Sequence, residues 1–422
     1  MPANPPLQQI HGDFLCPSPD AGARALQLVE DATLSLDGRG RIRSLAPAAP
    51  GTPHSVPGAL WMPGFIDAHV HYPQTRMVGS ASGPLLDWLS STTFPEEARF
   101  ADDAYATAVA AEFCAALARN GTTAAAIFSS PHPSATHHLF EALDAAGLRA
   151  LTGVTLMDRG APPENLLAAG PALDACEALI ERWHGHDDHR LQFCVTPRFA
   201  LACTPELLRG AGDLSARHGL PMQTHLSENP AEIAATRELF PGSADYLGVY
   251  ADHGLLSDRA LFAHGIHLSE GEWDRLGHAD GALAHCPDSN FFLGSGCMRL
   301  AEAQRRGIRV GVGTDVGGGR SFSVRRCAAR GYDASLIVGE PVSAEALLWH
   351  ATRGGAEALG LADRVGLIAP GYESDLVAVR RPRPDHRGDL FDALLFRLDY
   401  GPVLRTVVRG REIWRAPSAP AG

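Results

Sequence analysis

The stretch GFIDAHVH, residues 64–71, decides the fold, because it is the first of eight short apolar runs that finish on polar residues. Each run leads into a stretch rich in Ala, Leu, Glu and Arg that has helical character. The other seven runs span residues 122–130, 150–158, 190–199, 221–228, 261–269, 281–290 and 309–318. Buried strands that alternate with helices in eight units predict an α/β protein with a (β/α)8, TIM-like barrel over residues 61–369.

The two ends of the chain lack this alternation. Residues 1–60 and 370–422 contain short β-prone stretches bounded by Gly and Pro, such as SDLVAVRRP (374–382) and PVLRTVVRGREIW (402–414). We expect both terminal segments to pair into one small β-sandwich domain, so that this domain is discontinuous in sequence.

The net charge, the cysteine spacing and the length of the apolar runs indicate which partners and which cellular compartment to expect. The net charge is −12, which disfavours binding to nucleic acid or to an anionic membrane surface and leaves a small molecule as the expected partner. The eight cysteines are scattered without a C-x-x-C pair, as is usual in a reducing compartment. No run of about 18 apolar residues occurs, and we expect a cytoplasmic protein.

The polar ends of the runs predict a metal site. His69 and His71 are two residues apart on the first strand, so both imidazoles can reach one ion. His225 ends the fifth run and Asp315 the eighth, and a barrel brings these carboxyl ends around one mouth. Three imidazoles and a carboxylate suit one zinc ion per subunit, although iron or manganese could use the same ligands. Such an ion lowers the pKa of a bound water to about 7.

Three residues near these ligands are candidates for acid–base and electrostatic roles. Glu228, three residues after His225, is the candidate proton shuttle; the alternative is a glutamate placed at a helix start by the macrodipole. Asp315 could also orient the attacking water, and His264 could stabilise developing negative charge or hold the substrate. His267 and His285 could equally be structural, and the tract WHGHDDHR (183–190) is interpreted as a helix end and loop.

Six segments in the same order resemble the amidohydrolase superfamily and, within it, the guanine deaminase family: MPGFIDAHVHYPQ (62–74), TPRFA (196–200), QTHLSEN (223–229), FAHGIHLS (262–269), AHCPDSN (284–290) and VGTDVGGGRSFS (312–323). The resemblance implies zinc-dependent hydrolysis of guanine to xanthine and ammonia, with the ligands and shuttle named above, in an enzyme that is commonly a homodimer. It adds Gln74, Arg198 and Phe199 as guanine contacts. A chain without lysine cannot supply the carboxylated lysine that bridges two metals in many relatives, so one metal ion is expected.

Two departures from the family pattern leave alternatives open. Asp288 stands where a small or amide residue is common, and residues 324–339 are more basic than the family pattern. The chain could instead be a single-metal amidohydrolase for a related heterocycle, such as 8-oxoguanine, a pterin or a triazine, or a catalytically idle metal-binding relative. A dinucleotide-binding oxidoreductase is disfavoured because no G-x-G-x-x-G motif opens the first unit.

Overall fold

The computed structural model describes residues 6–20, 24–80, 83–382, 389–397 and 402–417. Within them the strands are β1 (Gln9–Pro17), β2 (Leu26–Leu36), β3 (Ile42–Pro47), β4 (Ala59–Pro63), β5 (Phe65–His71), β6 (Thr122–Phe128), β7 (Arg149–Gly153), β8 (Thr155–Leu156), β9 (Leu191–Phe193), β10 (Thr196–Pro197), β11 (Met222–Leu226), β12 (Ala260–His264), β13 (Ala282–His285), β14 (Arg309–Val312), β15 (Leu376–Arg380), β16 (Val403–Val408) and β17 (Arg411–Arg415).

The α-helices in the same residues are α1 (Leu85–Trp88), α2 (Phe94–Ala98), α3 (Asp103–Arg119), α4 (Pro133–Ala146), α5 (Ala169–Trp183), α6 (His186–His189), α7 (Pro205–His218), α8 (Pro230–Leu239), α9 (Tyr246–Asp252), α10 (Glu270–His278), α11 (Pro287–Phe292), α12 (Leu300–Arg305), α13 (Val324–Ile337), α14 (Ala344–Trp349), α15 (Gly355–Ala358) and α16 (Leu390–Phe396). A 3-10 turn (Tyr72–Met77) and a π-helical turn (Leu89–Thr93) lie in the connection from β5 to α2.

All eight apolar runs form parallel strands of one barrel. Two four-stranded arcs have the orders β5-β6-β7-β9 and β11-β12-β13-β14. A parallel bridge between Val195 and Met222 joins them on one side. On the other side the Asp315 amide donates to the His69 carbonyl at 2.8 Å, which closes the barrel beside β5. The barrel predicted from the sequence is therefore confirmed.

The terminal segments form the small β domain that the sequence predicts. Its strands make one seven-stranded sheet in the order β17-β16-β15-β4-β1-β2-β3, so the described part is hydrogen-bonded as a single sheet. β4 pairs in parallel with β1 and antiparallel with β15, which ties the two chain ends together. The chain passes from this sheet to the barrel at Gly64. The division of the chain at residues 60 and 370 stays a prediction.

Parallel register places the polar strand ends side by side. His225 on β11 lies opposite Ala263 on β12, and Leu226 lies opposite His264. α8 then begins with a capping box between Asn229 and Glu232, which fixes the turn that follows β11. No helix among the described residues is long and apolar enough to cross a membrane.

Candidate metal centre and active site

Three histidines and one aspartate converge at the mouth of the barrel. The Nε2 atoms of His69 and His71 are 3.1 Å apart, and Nε2 of His225 is 3.2 Å from that of His71. Oδ1 of Asp315 lies 3.3 Å from Nε2 of His69 and 3.2 Å from Nε2 of His71. The structure therefore brings all four residues that the sequence selected as ligands to one point.

The spacing of these atoms fits a single divalent ion. Ligand bonds of about 2.0–2.1 Å to one ion would place neighbouring ligand atoms about 3 Å apart, close to the separations given above. His225 Nδ1 is 2.6 Å from the Arg198 carbonyl, to which it donates, so Nε2 keeps its lone pair for a metal. The donor set of three imidazoles and one carboxylate thus has the chemistry and the spacing to hold a metal ion.

Burial sets the protonation that a metal ligand requires. It lowers the pKa of His69 to about 4 and holds the pKa of His225 well below its usual value, so both rings are neutral near pH 7. For Asp315 burial acts to raise the pKa, but hydrogen bonds to His69 and His71 outweigh it and hold the pKa well below the usual range. The site therefore offers neutral imidazoles and an ionised carboxylate.

A second group of metal-ligand type occurs among the described residues, in the small β domain. It comprises Asp13, Asp31 and His54. Asp13 already accepts from the Asp31 amide at 3.0 Å and from the Arg381 guanidinium, while Asp31 is exposed. The Arg381 guanidinium already supplies the positive charge beside Asp13, so these three residues do not support a second metal site.

The backbone is strained where the site is built. His264 has φ 72° and Asp315 has φ 48°, a region that residues other than glycine seldom adopt. Gly313 lies so close to β5 that a Cβ there would come within 2.8 Å of the His69 Cβ and of the Cys286 sulfur. Tight packing around β14 thus imposes the conformation that turns Asp315 toward the histidines.

Glu228 lies in the same pocket, and none of the described arginines forms an ion pair with it. Its Oε1 accepts from the Ser295 hydroxyl at 2.9 Å, and its Oε2 is 3.5 Å from His264 Nε2. Burial raises its pKa to about 7, although the nearby His264 opposes the shift. A carboxyl group with this pKa both accepts and releases protons near neutral pH.

The turn that carries Glu228 is fixed by a second glutamate. Glu232 accepts from the backbone amides of Glu228 and Asn229 at 3.0 and 3.2 Å, and the Tyr246 hydroxyl donates to it at 2.6 Å. Because this capping glutamate is at residue 232, the helix-start role that the sequence offered for Glu228 belongs to Glu232. Glu228 is left to face the pocket.

His264 faces both acidic groups of the site. Its Nε2 lies 3.5 Å from Glu228 and 3.7 Å from Asp315, and its Nδ1 is 2.9 Å from Asn290 Oδ1. Burial acts to lower the pKa of His264, but the negative charges of Glu228 and Asp315 outweigh it and raise the pKa overall. The ring is therefore biased toward its cationic form, which suits a group that faces developing negative charge.

Gln74 and Arg198 meet at a buried residue that the sequence did not single out, Glu97 on α2. Arg198 donates to Glu97 through both terminal nitrogens, at 2.5 and 3.0 Å, and Gln74 Nε2 donates to Glu97 at 3.3 Å. The Gly317 amide donates to Gln74 Oε1 at 2.9 Å. The sequence could have indicated such a residue only indirectly: a buried Arg198 needs a buried acidic partner, but the sequence does not show which one.

Apolar side chains complete the pocket. Phe199 lies beside Arg198, and the wall opposite comes from the connection that leads to α2. The pocket contains His71, Gln74, Arg198, Phe199, His225, Glu228, Glu232, His264 and Asp315, walled by Leu85, Trp88, Leu89 and Leu293. Flat apolar walls with a few convergent polar groups suit a small planar heterocycle. The leucines and Trp88 gave no signal in the sequence beyond ordinary core positions.

The two departures from the family pattern lie behind the site. Asp288 is 3% exposed and is neutralised by Arg320, whose amide donates to it at 2.7 Å and whose side chain reaches it at 2.5 Å. Residues 324–337 form α13, and none of the described residues of segment 324–339 lines the pocket. Neither feature places an unpaired charge against the substrate.

The remaining histidines have supporting positions. His267 Nε2 is 2.9 Å from the carbonyl of Ser295, the residue whose hydroxyl contacts Glu228. His285 is buried, with Nε2 3.4 Å from the point where a Cβ on Gly331 of α13 would lie, and burial lowers its pKa to about 3. The tract 183–190 forms the end of α5 and the short helix α6, as interpreted from the sequence.

Comparisons with known proteins agree with this geometry. Residues 60–413 match the sequence profile of the Amidohydrolase family. Guanine deaminase of Escherichia coli (strain K12) is 36% identical over 97% of this chain and 98% of its own length, and the probable guanine deaminase of Deinococcus radiodurans is 39% identical over 86% of each. The crystal structure of guanine deaminase from C. acetobutylicum with bound guanine in the active site has a TM-score of 0.89 at 29% identity, covering 96% of this chain and 100% of that one.

Proposed function

The chain belongs to the amidohydrolase family, and we propose that it hydrolyses guanine to xanthine and ammonia at a single zinc ion. The observation that carries this proposal is the position of Glu228. Its buried carboxyl group, with a pKa of about 7, lies in one pocket with the ligand group and with the pair Gln74 and Arg198. One pocket thus holds a proton carrier, a metal-binding group and groups that can read a purine edge.

We propose that His69, His71, His225 and Asp315 hold the zinc ion. Imidazoles and a carboxylate are ligands that zinc accepts readily, and the four ligand atoms lie close enough together to contact one ion while a water takes a further position. Bound there, zinc would supply a water whose pKa is lowered to about 7, so that it can act as a nucleophile at neutral pH. Metal analysis of the purified protein distinguishes zinc from iron or manganese.

Gln74, Arg198 and Phe199 are the proposed guanine contacts. The Gln74 side chain donates one N–H to Glu97 and accepts a hydrogen bond from the Gly317 amide. Its second N–H and the second lone pair of its oxygen are left for a ligand. Arg198 keeps N–H groups beyond the two that contact Glu97. Phe199 offers an apolar ring face for the flat base. These groups can bind the donor and acceptor edge of a purine and hold C2 toward the metal centre.

Glu228 is the proposed proton carrier. It accepts a proton from the water that attacks C2 and delivers it to the adjacent ring nitrogen N3. It then accepts a second proton from the hydroxyl group newly formed on C2 and passes it to the exocyclic amine, so that the C2–N bond breaks and ammonia leaves. His264, which lines the same pocket, stabilises the negative charge on the attacking oxygen. The atoms balance as guanine plus water giving xanthine plus ammonia.

The test replaces Glu228 with Gln, which keeps the size of the side chain and removes the titratable carboxyl group. The Glu228→Gln variant should bind zinc as the parent does and lose ammonia release from guanine by at least about a thousandfold, as is typical for removal of a general acid–base group. The control Glu238→Gln changes an exposed glutamate on α8 and should keep full activity. Full activity in Glu228→Gln would contradict the assignment.

A substrate panel tests the specificity. Ammonia release is measured on guanine, 8-oxoguanine, adenine, cytosine, a pterin and a triazine. We expect rapid release from guanine only, because the polar groups of the pocket that are buried would be left unpaired by other rings. Activity on another heterocycle alone would keep the acid–base assignment of Glu228 and reject the roles of Gln74 and Arg198. We also propose a cytoplasmic homodimer, which localisation and light scattering test.

A further inference from the structure

The hydroxyl group of Tyr250, on α9, contacts the active site from outside the pocket. Tyr250 is fully buried and is not among the described residues that line the pocket. Its hydroxyl donates to the His225 carbonyl at 2.7 Å. It accepts from the Ala200 amide at 3.1 Å and from the Thr224 hydroxyl at 3.1 Å. One donated and two accepted hydrogen bonds use the full capacity of a hydroxyl group.

The two segments that this hydroxyl joins have different roles in the proposed site. His225 is a candidate metal ligand on β11. The Ala200 amide comes directly after the proposed guanine contacts Arg198 and Phe199, and it begins a 3-10 turn. Because the first amides of a helical turn have no partner inside the turn, this amide needs an acceptor from elsewhere. Tyr250 provides the acceptor and thereby bridges the substrate-contact segment and the ligand strand.

The backbone and the side chain of Arg198 contact different parts of the site. Its carbonyl accepts from Nδ1 of His225 at 2.6 Å and lies 3.3 Å from the Thr224 hydroxyl, whereas its guanidinium pairs with Glu97. A hydrogen bond to the second ring nitrogen of a ligating histidine sets the orientation of the ring. A displacement of the backbone at residues 198–200 would therefore turn the His225 ring and move the guanidinium at the same time.

The helix that carries Tyr250 is fixed by contacts with α10. The Asp245 side chain caps α9 and accepts from the Arg275 guanidinium of α10. The Leu247 amide of α9 donates to Glu272 of α10 at 3.2 Å. A hydroxyl group carried by a helix that is held in this way has a defined position relative to β11.

We propose that Tyr250 is a positioning residue that holds the metal ligand His225 and the guanine contact Arg198 in one arrangement. Tyr250 acts through these two residues, because its hydroxyl contacts the backbone of their segments and not the metal-binding atoms. The proposal rests on the function proposed above, which assigns the roles of His225 and Arg198. Loss of the Tyr250 hydroxyl should therefore weaken metal binding and substrate binding together.

Tyr246, one turn earlier on α9, provides a comparison within the same helix. Its ring stacks on that of Tyr250, with the ring centroids 5.7 Å apart. Its hydroxyl donates to Glu232, which accepts from the Glu228 amide. Tyr246 thus supports the turn that carries the proposed proton carrier. Loss of its hydroxyl should slow proton transfer and leave metal binding unchanged.

The experiment compares Tyr250→Phe with Tyr246→Phe, each of which removes one hydroxyl group and keeps the ring. The Kd for Zn²⁺ is measured on the metal-free whole chain by competition with a chromophoric chelator, and guanine hydrolysis is measured at saturating Zn²⁺. In Tyr250→Phe we expect the Kd for Zn²⁺ and the KM for guanine each to rise about tenfold, with a smaller change in kcat. In Tyr246→Phe we expect kcat to fall about tenfold and the Kd for Zn²⁺ to stay within about twofold of the parent.

Two further variants serve as controls. Tyr332→Phe removes a hydroxyl group from α13, of which no described residue lines the pocket, and should change none of the three constants. Thr224→Val keeps the shape of the side chain but removes the hydroxyl that contacts Tyr250 and lies near the Arg198 carbonyl. It should raise the same two constants as Tyr250→Phe, and it keeps the test valid if Tyr250→Phe does not fold.

An unchanged Kd for Zn²⁺ or an unchanged KM in Tyr250→Phe would overturn the proposal. Equal changes of all three constants in the two tyrosine variants would also overturn it, because they would show that α9 supports only the fold. If the parent hydrolyses another heterocycle of the panel in place of guanine, KM for that ring is used, and if it hydrolyses none, the Zn²⁺ titration alone decides. A failure of the proposed function is therefore distinguishable from a failure of this proposal.

Discussion

Replacing Glu97 with Gln tests whether an acid outside the reacting groups positions the substrate contacts. Glu97 is 1% exposed and Arg198 is 3% exposed, so the two charges meet out of contact with water. The Glu97→Gln change keeps the shape of the side chain and one acceptor oxygen, but it leaves the Arg198 charge without its counterion. Gln74 also loses its charged acceptor.

The size of the effect follows from the buried pair. Removing one partner of a buried ion pair costs about 3–5 kcal/mol, because the remaining charge is uncompensated. Part of that cost is recovered when Arg198 shifts toward another acceptor or toward water. If about 1.4–2.8 kcal/mol appears as lost orientation of Gln74 and Arg198, kcat/KM for guanine falls tenfold to a hundredfold.

The assay follows guanine hydrolysis at several concentrations, together with zinc content and melting temperature. We expect KM to rise more than kcat falls, with zinc content unchanged, because Glu97 contacts none of the metal ligands in the described structure. Glu97→Asp, which keeps the charge, should restore part of the affinity. The control Glu96→Gln alters the neighbouring glutamate, which pairs with Arg99 instead. A kcat/KM within threefold of the parent in Glu97→Gln would refute the positioning role.

Three further predictions concern stability. A chelator should lower the melting temperature by about 5 °C if the metal is bound a thousandfold above its Kd, and a His225→Ala variant should not respond to it. Burial lowers the pKa of His350 to about 4, below the unfolded value of about 6.5, so protons favour the unfolded state as the pH falls through this window. The free energy of unfolding, measured with denaturant, should therefore fall by about 2 kcal/mol more between pH 7 and pH 5 in the parent than in His350→Gln. Equal decreases in the two proteins would contradict this prediction. Asp288→Asn should destabilise the protein, because Arg320 loses its ion pair, yet leave the substrate preference unchanged; a new preference on the panel would show that Asp288 reads the substrate.

The barrel was predictable because its signal is local. Each strand is a nearly continuous apolar run, and both the apolar character and the polar residue at its end are visible within ten residues of sequence. The shortest strands could not be predicted from the sequence. β8 and β10 have two residues each, follow β7 and β9, and show no sequence pattern of their own. Two-residue strands depend on their neighbours rather than on their own propensity.

The four candidate metal ligands were also predictable from local sequence, whereas the residues that hold the site in place were not. His69, His71, His225 and Asp315 stand at strand ends, where the barrel topology itself brings them together. Glu97 pairs with Arg198 across 101 residues of sequence, from a connection whose path no periodicity defines. The positive φ at His264 and Asp315 was likewise not predictable, because residues other than glycine seldom adopt it and no local sequence pattern marks the positions that do.

Glu97 contacts two residues that line the pocket, whereas Glu228 lines the pocket itself, and the surroundings of the two carboxyl groups differ. Glu97 receives two hydrogen bonds from the Arg198 guanidinium, so this carboxyl group holds the guanidinium in place. Glu228 has a hydroxyl at 2.9 Å and an imidazole at 3.5 Å, and burial raises its pKa to about 7. An arginine beside Glu228 would hold it ionised and prevent it from releasing a proton to the purine. Because the arginine pairs with Glu97 and not with Glu228, the pocket suits the proton-carrying role proposed for Glu228.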